Sequence, residues 1–384
     1  MATRIRTTPL VLSAGLSAIA LWLALREGTG HAQALAIGLL AGVVLYQARF
    51  GFTSGWRRWV RERRGREVRA QLLLIGLICL VSFPLIGLGA ARGVVMPMGL
   101  ASALGAFLFG IGMQMGGGCA SGTLYTAGGG STRMVLVLCA FIAGSVLATY
   151  HWDIWAELPR MGGVSVLRGL GWAPGLAAML AALTALWLAS VTLERRRHGS
   201  LEPATETGGI RRGPWPIWAG AVGLAVVGAL WFALLGGPWG VTYGFAVWGA
   251  QAADLMGLDP ASLSYWQGWR AGHLEGGLMS SRTNASNIGI LLGALAAAGL
   301  AGRFAPIWQL PPRDIATALV GGLAMGYGAR LAYGCNIGAF LGGLTSGSLH
   351  GLWWLVWGFA GSLIGIRLRA VFHMDPPLQT KGAV

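Results

Sequence analysis

The chain has 384 residues, 55% of them hydrophobic and only 11% charged, with a mean hydropathy of +0.62. Soluble domains carry roughly a quarter of their residues as Asp, Glu, Lys and Arg, so an ordinary water-exposed globule is excluded and lipid must cover much of the surface. The net charge of +15 invites a nucleic-acid reading, but the arginines lie between apolar runs, chiefly at 57–69, 194–198 and 211–212. The positive-inside rule keeps such residues on the cytoplasmic side, so a lipid bilayer is the expected partner and nucleic acid is not.

Residues 1–9 are short and basic, with Arg4 and Arg6, and belong in the cytoplasm. The first helix is expected over 10–25, with no cleavage site after it, and the second over 34–46. Phe50-Gly51-Phe52-Thr53-Ser54-Gly55-Trp56-Arg57 then leads into a basic loop holding Arg58, Arg61, Arg63, Arg64, Arg66 and Arg69. A span follows over 71–90, and the run 98–115 enters a glycine-rich stretch that 134–150 leaves. Residues 116–131 hold too many glycines for a continuous helix and read as a helix–break–helix. The Trp-containing stretch 151–163 suits the membrane interface, and 174–193 returns to Arg195-Arg196-Arg197.

A polar linker over 200–213, expected to be flexible, separates halves 1–199 and 214–384. The second half offers apolar segments at 216–235 and 243–256, then a mixed stretch at 259–287 and a helix at 288–300. Runs at 314–331 and 352–368 flank a second glycine-rich stretch. At about 20 residues per span, the expected fold is an all-α integral membrane protein of roughly nine to eleven helical segments. They form two pseudo-symmetric repeats with broken or re-entrant helices at the centre.

The repeat rests on two similar stretches. Gly110-Ile111-Gly112-Met113-Gln114-Met115-Gly116-Gly117-Gly118-Cys119-Ala120-Ser121-Gly122 matches Gly326-Tyr327-Gly328-Ala329-Arg330-Leu331-Ala332-Tyr333-Gly334-Cys335-Asn336-Ile337-Gly338 in the glycines at its first, third and last positions and in its Gly-Cys pair. Further on, Ala143-Gly144-Ser145 matches Ala360-Gly361-Ser362. Paired glycine-broken segments point to a transport site between two halves. Helix parity leaves inverted and parallel repeats both open.

The motifs 117–122 and 332–338 resemble the paired cysteine motifs of the YeeE/YedE family of sulfur-transport membrane proteins, over about 50–369. The resemblance implies an inverted repeat in the inner membrane that admits a sulfur-containing anion, thiosulfate in the best-understood members. It leaves room for a cytoplasmic sulfur-acceptor protein as partner. Some members carry a cysteine near the Phe52-Thr53 pair, where this chain has Gly51, so Thr53 or Ser54 could replace it only as hydroxyl donors.

The pathway residues expected are Cys119, Gly117, Gly118, Ala120, Ser121 and Gly122 in one copy, with Cys335, Gly334, Asn336, Ile337 and Gly338 in the other. Free N–H groups at a half-helix start present about half a positive charge to an anion. A protonated thiol adds a soft, weak donor. Gln114 and Arg330 each precede their cysteine by five residues, Arg330 as an anion attractor or a snorkelling side chain. Cys79 and Cys139 lie in apolar runs and read as packing residues. With no nucleotide loop, metal cluster or paired membrane carboxylates in the sequence, neither a cofactor nor enzymatic catalysis is expected. Persulfide relay, a redox role, a structural subunit, or transport of another sulfur or selenium species are the alternatives.

Overall fold

A computed structural model describes residues 5–203 and 208–375, and it is built almost entirely of helices. The first half runs α1 (Thr7–Glu27), α2 (Thr29–Ala48), α3 (Phe52–Glu62), α4 (Arg66–Gly87), α5 (Leu100–Gly116), α6 (Ala120–Gly128) and α7 (Thr132–Tyr150). Two short helices, α8 (Trp152–Ala156) and α9 (Val166–Leu170), precede the long α10 (Trp172–His198). The second half runs α11 (Ile217–Leu235), α12 (Thr242–Leu255), α13 (Gly272–Glu275), α14 (Arg282–Ala301), α15 (Pro312–Leu331), α16 (Gly342–Thr345) and α17 (His350–Val371). Two-residue strands β1 (Met98–Gly99) and β2 (Arg160–Met161) pair antiparallel. Among the described residues, ten helical segments are long and apolar enough to cross a membrane. The chain is an all-α, multi-pass membrane protein.

Packing is reciprocal between the halves. Helix α2 packs on α14 and α4 on α11, while α7 packs on α15 and α5 on α17. The central pair is α5 against α15, and it is antiparallel: Gly105 faces Gly328 and Leu331, whereas Gly112 faces Gly321 and Met325. Helices α5 and α17 run parallel, as do α7 and α15. Helix α11 is antiparallel to α2, with Gly220 beside Ala48 and Gly223 beside Val44. Helix α5 therefore runs opposite to α15, α7 to α17 and α2 to α11. Glycines at the crossings let backbones touch, which is how helices associate where lipid removes the hydrophobic drive.

One face is strongly basic. Arg6 donates its N–H to Gly299 at the end of α14, and Arg61 and Arg369 both pair with Asp375 at 2.7 Å. Burial pushes the Asp375 carboxyl up, but the hydrogen bond and charge of Arg369, with Arg57 and Arg61 behind it, outweigh that and hold it below its ordinary value. Glu194, at the end of α10, is fully buried and accepts from Arg69 at 2.8 Å, Arg64 at 3.2 Å and the Gly65 N–H at 3.0 Å.

These ion pairs correct the expected basic loop. Residues 57–69 are mostly the end of α3 and the start of α4, and only Arg63–Gly65 lie between them. Arg58 pairs with Glu62 at 3.2 Å and with Glu67 and Glu202, so helix ends tolerate the charge density. Helix α14 likewise starts six residues before the expected 288, because Ser281 caps it and polar Asn284, Ser286 and Asn287 are buried against neighbours. Cys79 is buried as expected, but Cys139, expected to pack, is exposed on α7. Arg4 and residues 204–207 of the expected linker lie outside the described residues. The linker's other end is held rather than loose: Gln47 donates to Arg211 O at 3.0 Å and Trp215 N–H to Gln47 O at 2.8 Å.

A side chain on Gly105 would place its Cβ 2.6 Å from Leu331 Cβ and 2.7 Å from Gly328 O. Overpacking of this kind costs about 1–3 kcal/mol. Gly105→Leu is expected to lower the melting temperature in detergent by several degrees, whereas lipid-facing Leu104→Ala is not. Equal melting temperatures for the two variants would show that the central crossing does not need the glycine.

Candidate functional site

The first glycine-rich stretch breaks the chain where α5 ends. Gly117 adopts φ +88°, a left-handed conformation that glycine enters without strain. Cys119 is then extended (φ −80°, ψ −174°) and stands at the N-cap of α6, with its Sγ 3.5 Å from Ser121 Oγ. The carbonyl end of the break is capped by cations. Arg133 donates to Gly116 O and, at 3.0 Å, to Met115 O, and Arg369 donates to Gln114 O at 2.7 Å. These guanidiniums offset the partial negative charge at the end of α5. The first N–H groups of α6 have no intrahelical acceptor, and this positive end is the one that meets open space.

That space is a cavity of about 370 Å³ lined by Gly51 of the α2–α3 turn, by Thr53 and Ser54 of α3, by Gly117, Gly118, Cys119 and Gly122 of the motif, and by Tyr125 and Thr126 of α6. Its remaining wall is Tyr46, Arg49 and Arg303 on the basic face. Cys119 is 2% exposed, and Ala120 and Ser121 lie buried behind the wall. Gly51 thus shares a cavity with Cys119.

The second break has the same backbone plan and different surroundings. Tyr333 (φ +60°) and Gly334 (φ +149°) precede an extended Cys335 (φ −105°, ψ −166°). A π-turn over Asn336–Leu341 follows, in which Ala339 N–H at 2.9 Å and Phe340 N–H at 3.3 Å both donate to Cys335 O. Cys335 and Asn336 are fully buried, and neither amide atom of Asn336 has a partner. The loop at 238–240 roofs this break, with Gly240 against Gly338 and Pro238 and Trp239 against Gly342. Val166 N–H bonds Gly347 O at 2.7 Å and Leu349 N–H bonds Val164 O at 3.0 Å, closing the same side. The crevice left between Ile337, Trp239 and Thr345 is about 10 Å³, at the lower limit for a single water.

The structure therefore gathers Gly117, Gly118, Cys119 and Gly122 on one cavity, leaves the expected Ala120 and Ser121 behind its wall, and keeps Cys335, Gly334, Asn336, Ile337 and Gly338 off it. Gln114 is buried away from the cavity, donating to Ser362 Oγ at 2.7 Å and Thr53 O at 3.2 Å. Arg330 holds the matching place, donating to Tyr265 OH at 2.7 Å and Thr242 Oγ1 at 3.3 Å. Each of the two fastens the first turn of a short helix, α3 or α12. Arg330 is 6% exposed and does not line the cavity that Arg49 and Arg303 border. Those two arginines escaped the sequence reading because they stand at helix ends, far from either motif in the chain.

A family model described as "Sulphur transport" matches residues 47–364. The thiosulfate transporter TsuA of Spirochaeta thermophila is 28% identical over 329 residues, covering 81% of this chain and 90% of that protein. The thiosulfate transporter TsuA of Escherichia coli K12 is 26% identical over 320 residues, covering 79% and 84%. The probable transporter YedE of the same organism is 29% identical over 171 residues, 44% of this chain and 42% of its own.

The different surroundings of the two thiols are measurable. With Cys79→Ala and Cys139→Ala as background, a small polar methanethiosulfonate reagent is expected to modify Cys119 at least tenfold faster than Cys335. Equal rates would mean that the roof over the second break is not closed in the membrane.

Proposed function

The chain belongs to the sulphur-transport family, and from that premise we propose that it is an inner-membrane permease for a small sulfur-containing anion, thiosulfate before others. The observation that carries this reading is Cys119 at the start of the broken helix α6, on the wall of a cavity of about 370 Å³. An anion entering a membrane loses several kcal/mol of hydration unless donors replace it. The backbone N–H of Gly122, on the cavity wall, is suited to do so, with those of Ala120 and Ser121 behind it and those of Asn336, Ile337 and Gly338 as their counterparts. Relatives named as thiosulfate transporters favour that substrate over other sulfur species.

The thiols of Cys119 and Cys335 supply what oxygen donors do not. A protonated thiol is a weak, polarisable donor that can meet the terminal sulfur of thiosulfate and release it again. The two halves act as inverted repeats, a reading supported by their reciprocal, oppositely directed packing. The basic face lies in the cytoplasm by the positive-inside rule. In this state the Cys119 side is open and the Cys335 side roofed, so the anion reaches Cys335 only when the halves rock. The anion is delivered unchanged, without cofactor or catalysis, to a cytoplasmic sulfur-acceptor protein.

Cys119→Ala and Cys335→Ala are each expected to cut initial uptake of radiolabelled thiosulfate into proteoliposomes at least tenfold, and the serine variants nearly as much. Cys79→Ala and Cys139→Ala are expected to retain wild-type rates. Serine variants with full uptake and unchanged competition by excess sulfate would remove the sulfur-specific role of the thiols. Equal losses at all four cysteines would reduce the motif to packing.

A further inference from the structure

The cavity holds two cations that the cysteine chemistry does not use. Arg49, exposed, ends α2 in a left-handed conformation at φ +49°, and half-buried Arg303 follows the last turn of α14. Both stand on the cavity wall, on elements from different halves of the chain. Neighbouring arginines on the basic face are neutralised: Arg58 by Glu62, Glu67 and Glu202, Arg64 and Arg69 by Glu194, Arg61 and Arg369 by Asp375. Among the described residues no carboxylate pairs with Arg49 or Arg303, and the side-chain bond recorded for the pair is from Arg303 Nη2 to Gly213 O at 3.0 Å. A third observation is independent of charge. Thr53 lines the same wall and is 3% exposed, and its Oγ1 is buried without a hydrogen-bond partner.

We propose that Arg49, Arg303 and Thr53 form an oxyanion station at the cytoplasmic mouth of the cavity, separate from the thiol at its floor. The proposal rests on the transport reading and names the group that receives the anion after Cys119. Its ligand class is a divalent tetrahedral sulfur oxyanion, held by its oxygens. Guanidinium forks match two oxygens of such an ion, and the Thr53 hydroxyl offers a donor to a third. Every one of these donors is hard, and none distinguishes a terminal sulfur from an oxygen. The station therefore binds sulfate as well as thiosulfate, in contrast to the selectivity assigned to the cysteines. Exposure of Arg49 keeps the site wet, so binding is reversible and the anion leaves to bulk water.

The test is binding of radiolabelled sulfate to the purified protein in lipid nanodiscs, beside thiosulfate uptake by the same preparations in proteoliposomes. Wild type is expected to bind sulfate saturably. Arg49→Gln with Arg303→Gln is expected to weaken it at least tenfold, and Arg49→Lys with Arg303→Lys to an intermediate degree. Arg195→Gln with Arg196→Gln removes the same charge at the exposed end of α10 and is expected to leave sulfate binding unchanged. No sulfate binding by wild type, or equal loss in the α10 control, overturns the station. Wild-type uptake of thiosulfate together with sulfate binding indifferent to Arg49 and Arg303 sinks the station and leaves the transport reading standing. Arginine-dependent sulfate binding without thiosulfate uptake supports the station and sinks transport instead.

Discussion

A membrane interior supplies no hydrogen bonds, so a helix can be interrupted there only where protein or enclosed water completes the broken backbone. The structure meets that demand twice, and most of its other features follow. The carbonyl end of the first break is completed by Arg133 and Arg369, brought from α7 and α17. Helix α17 therefore lies against α5 and α7 against its neighbour α15, and the glycines at those crossings allow it. The second break is completed differently, by a π-turn that sends two N–H groups to one carbonyl and by Trp354 donating to Gly334 O at 3.2 Å. One break keeps its amide end beside a cavity and the other is sealed.

That inequality matters for any carrier built from two similar halves. If both breaks opened together, the chain would be a leak; if both were sealed, nothing would pass. The sealed break is backed by an aromatic layer from both halves. Phe340 of the π-turn stacks on Trp354 at 6.2 Å and meets Phe52 and Trp56 of α3 edge-on at 6.0 and 6.3 Å. Since α3 also borders the open cavity through Thr53 and Ser54, a shift of α3 is felt at both sites. Under the proposed function this helix is where the state of one side is communicated to the other.

The span pattern, the break at 116–131 and the cysteine pair were legible in the sequence because glycine and apolar periodicity act locally. Gln114 and Arg330 stood out by their matched spacing, yet their use did not. Their partners Thr53, Ser362, Tyr265 and Thr242 lie on other helices, and only packing brings these together. The basic run 57–69 misled because its neutralising carboxylates, Glu194, Glu202 and Asp375, are more than a hundred residues away in the chain. Arg49 and Arg303 were invisible for the opposite reason: each looks like a topology signal at a helix end, and only the cavity between them distinguishes them. The matched glycine-cysteine stretches could be seen in sequence, whereas the directions of the helices around them needed the packing.

Thiosulfate has a soft end and a hard end, and the cavity has donors of both kinds at different depths. At the floor, a thiol and first-turn amides sit where burial strengthens every electrostatic contact. Full charges there would bind a dianion too tightly to release, and the floor relies on dipoles. At the rim, water screens the field, so two guanidiniums can attract the ion without trapping it. The arrangement grades donor strength against desolvation: weak donors where the medium is dry, strong ones where it is wet. Under the proposed function, an arginine moved to the floor, for instance in place of Gly122, would turn a conduit into a binding site. The removal of Arg49 and Arg303 would leave the deep contacts intact and slow only the final departure or first capture of the ion. Under the proposed function, selectivity and throughput fall to different residues of one cavity, which is why two cysteines alone do not describe it.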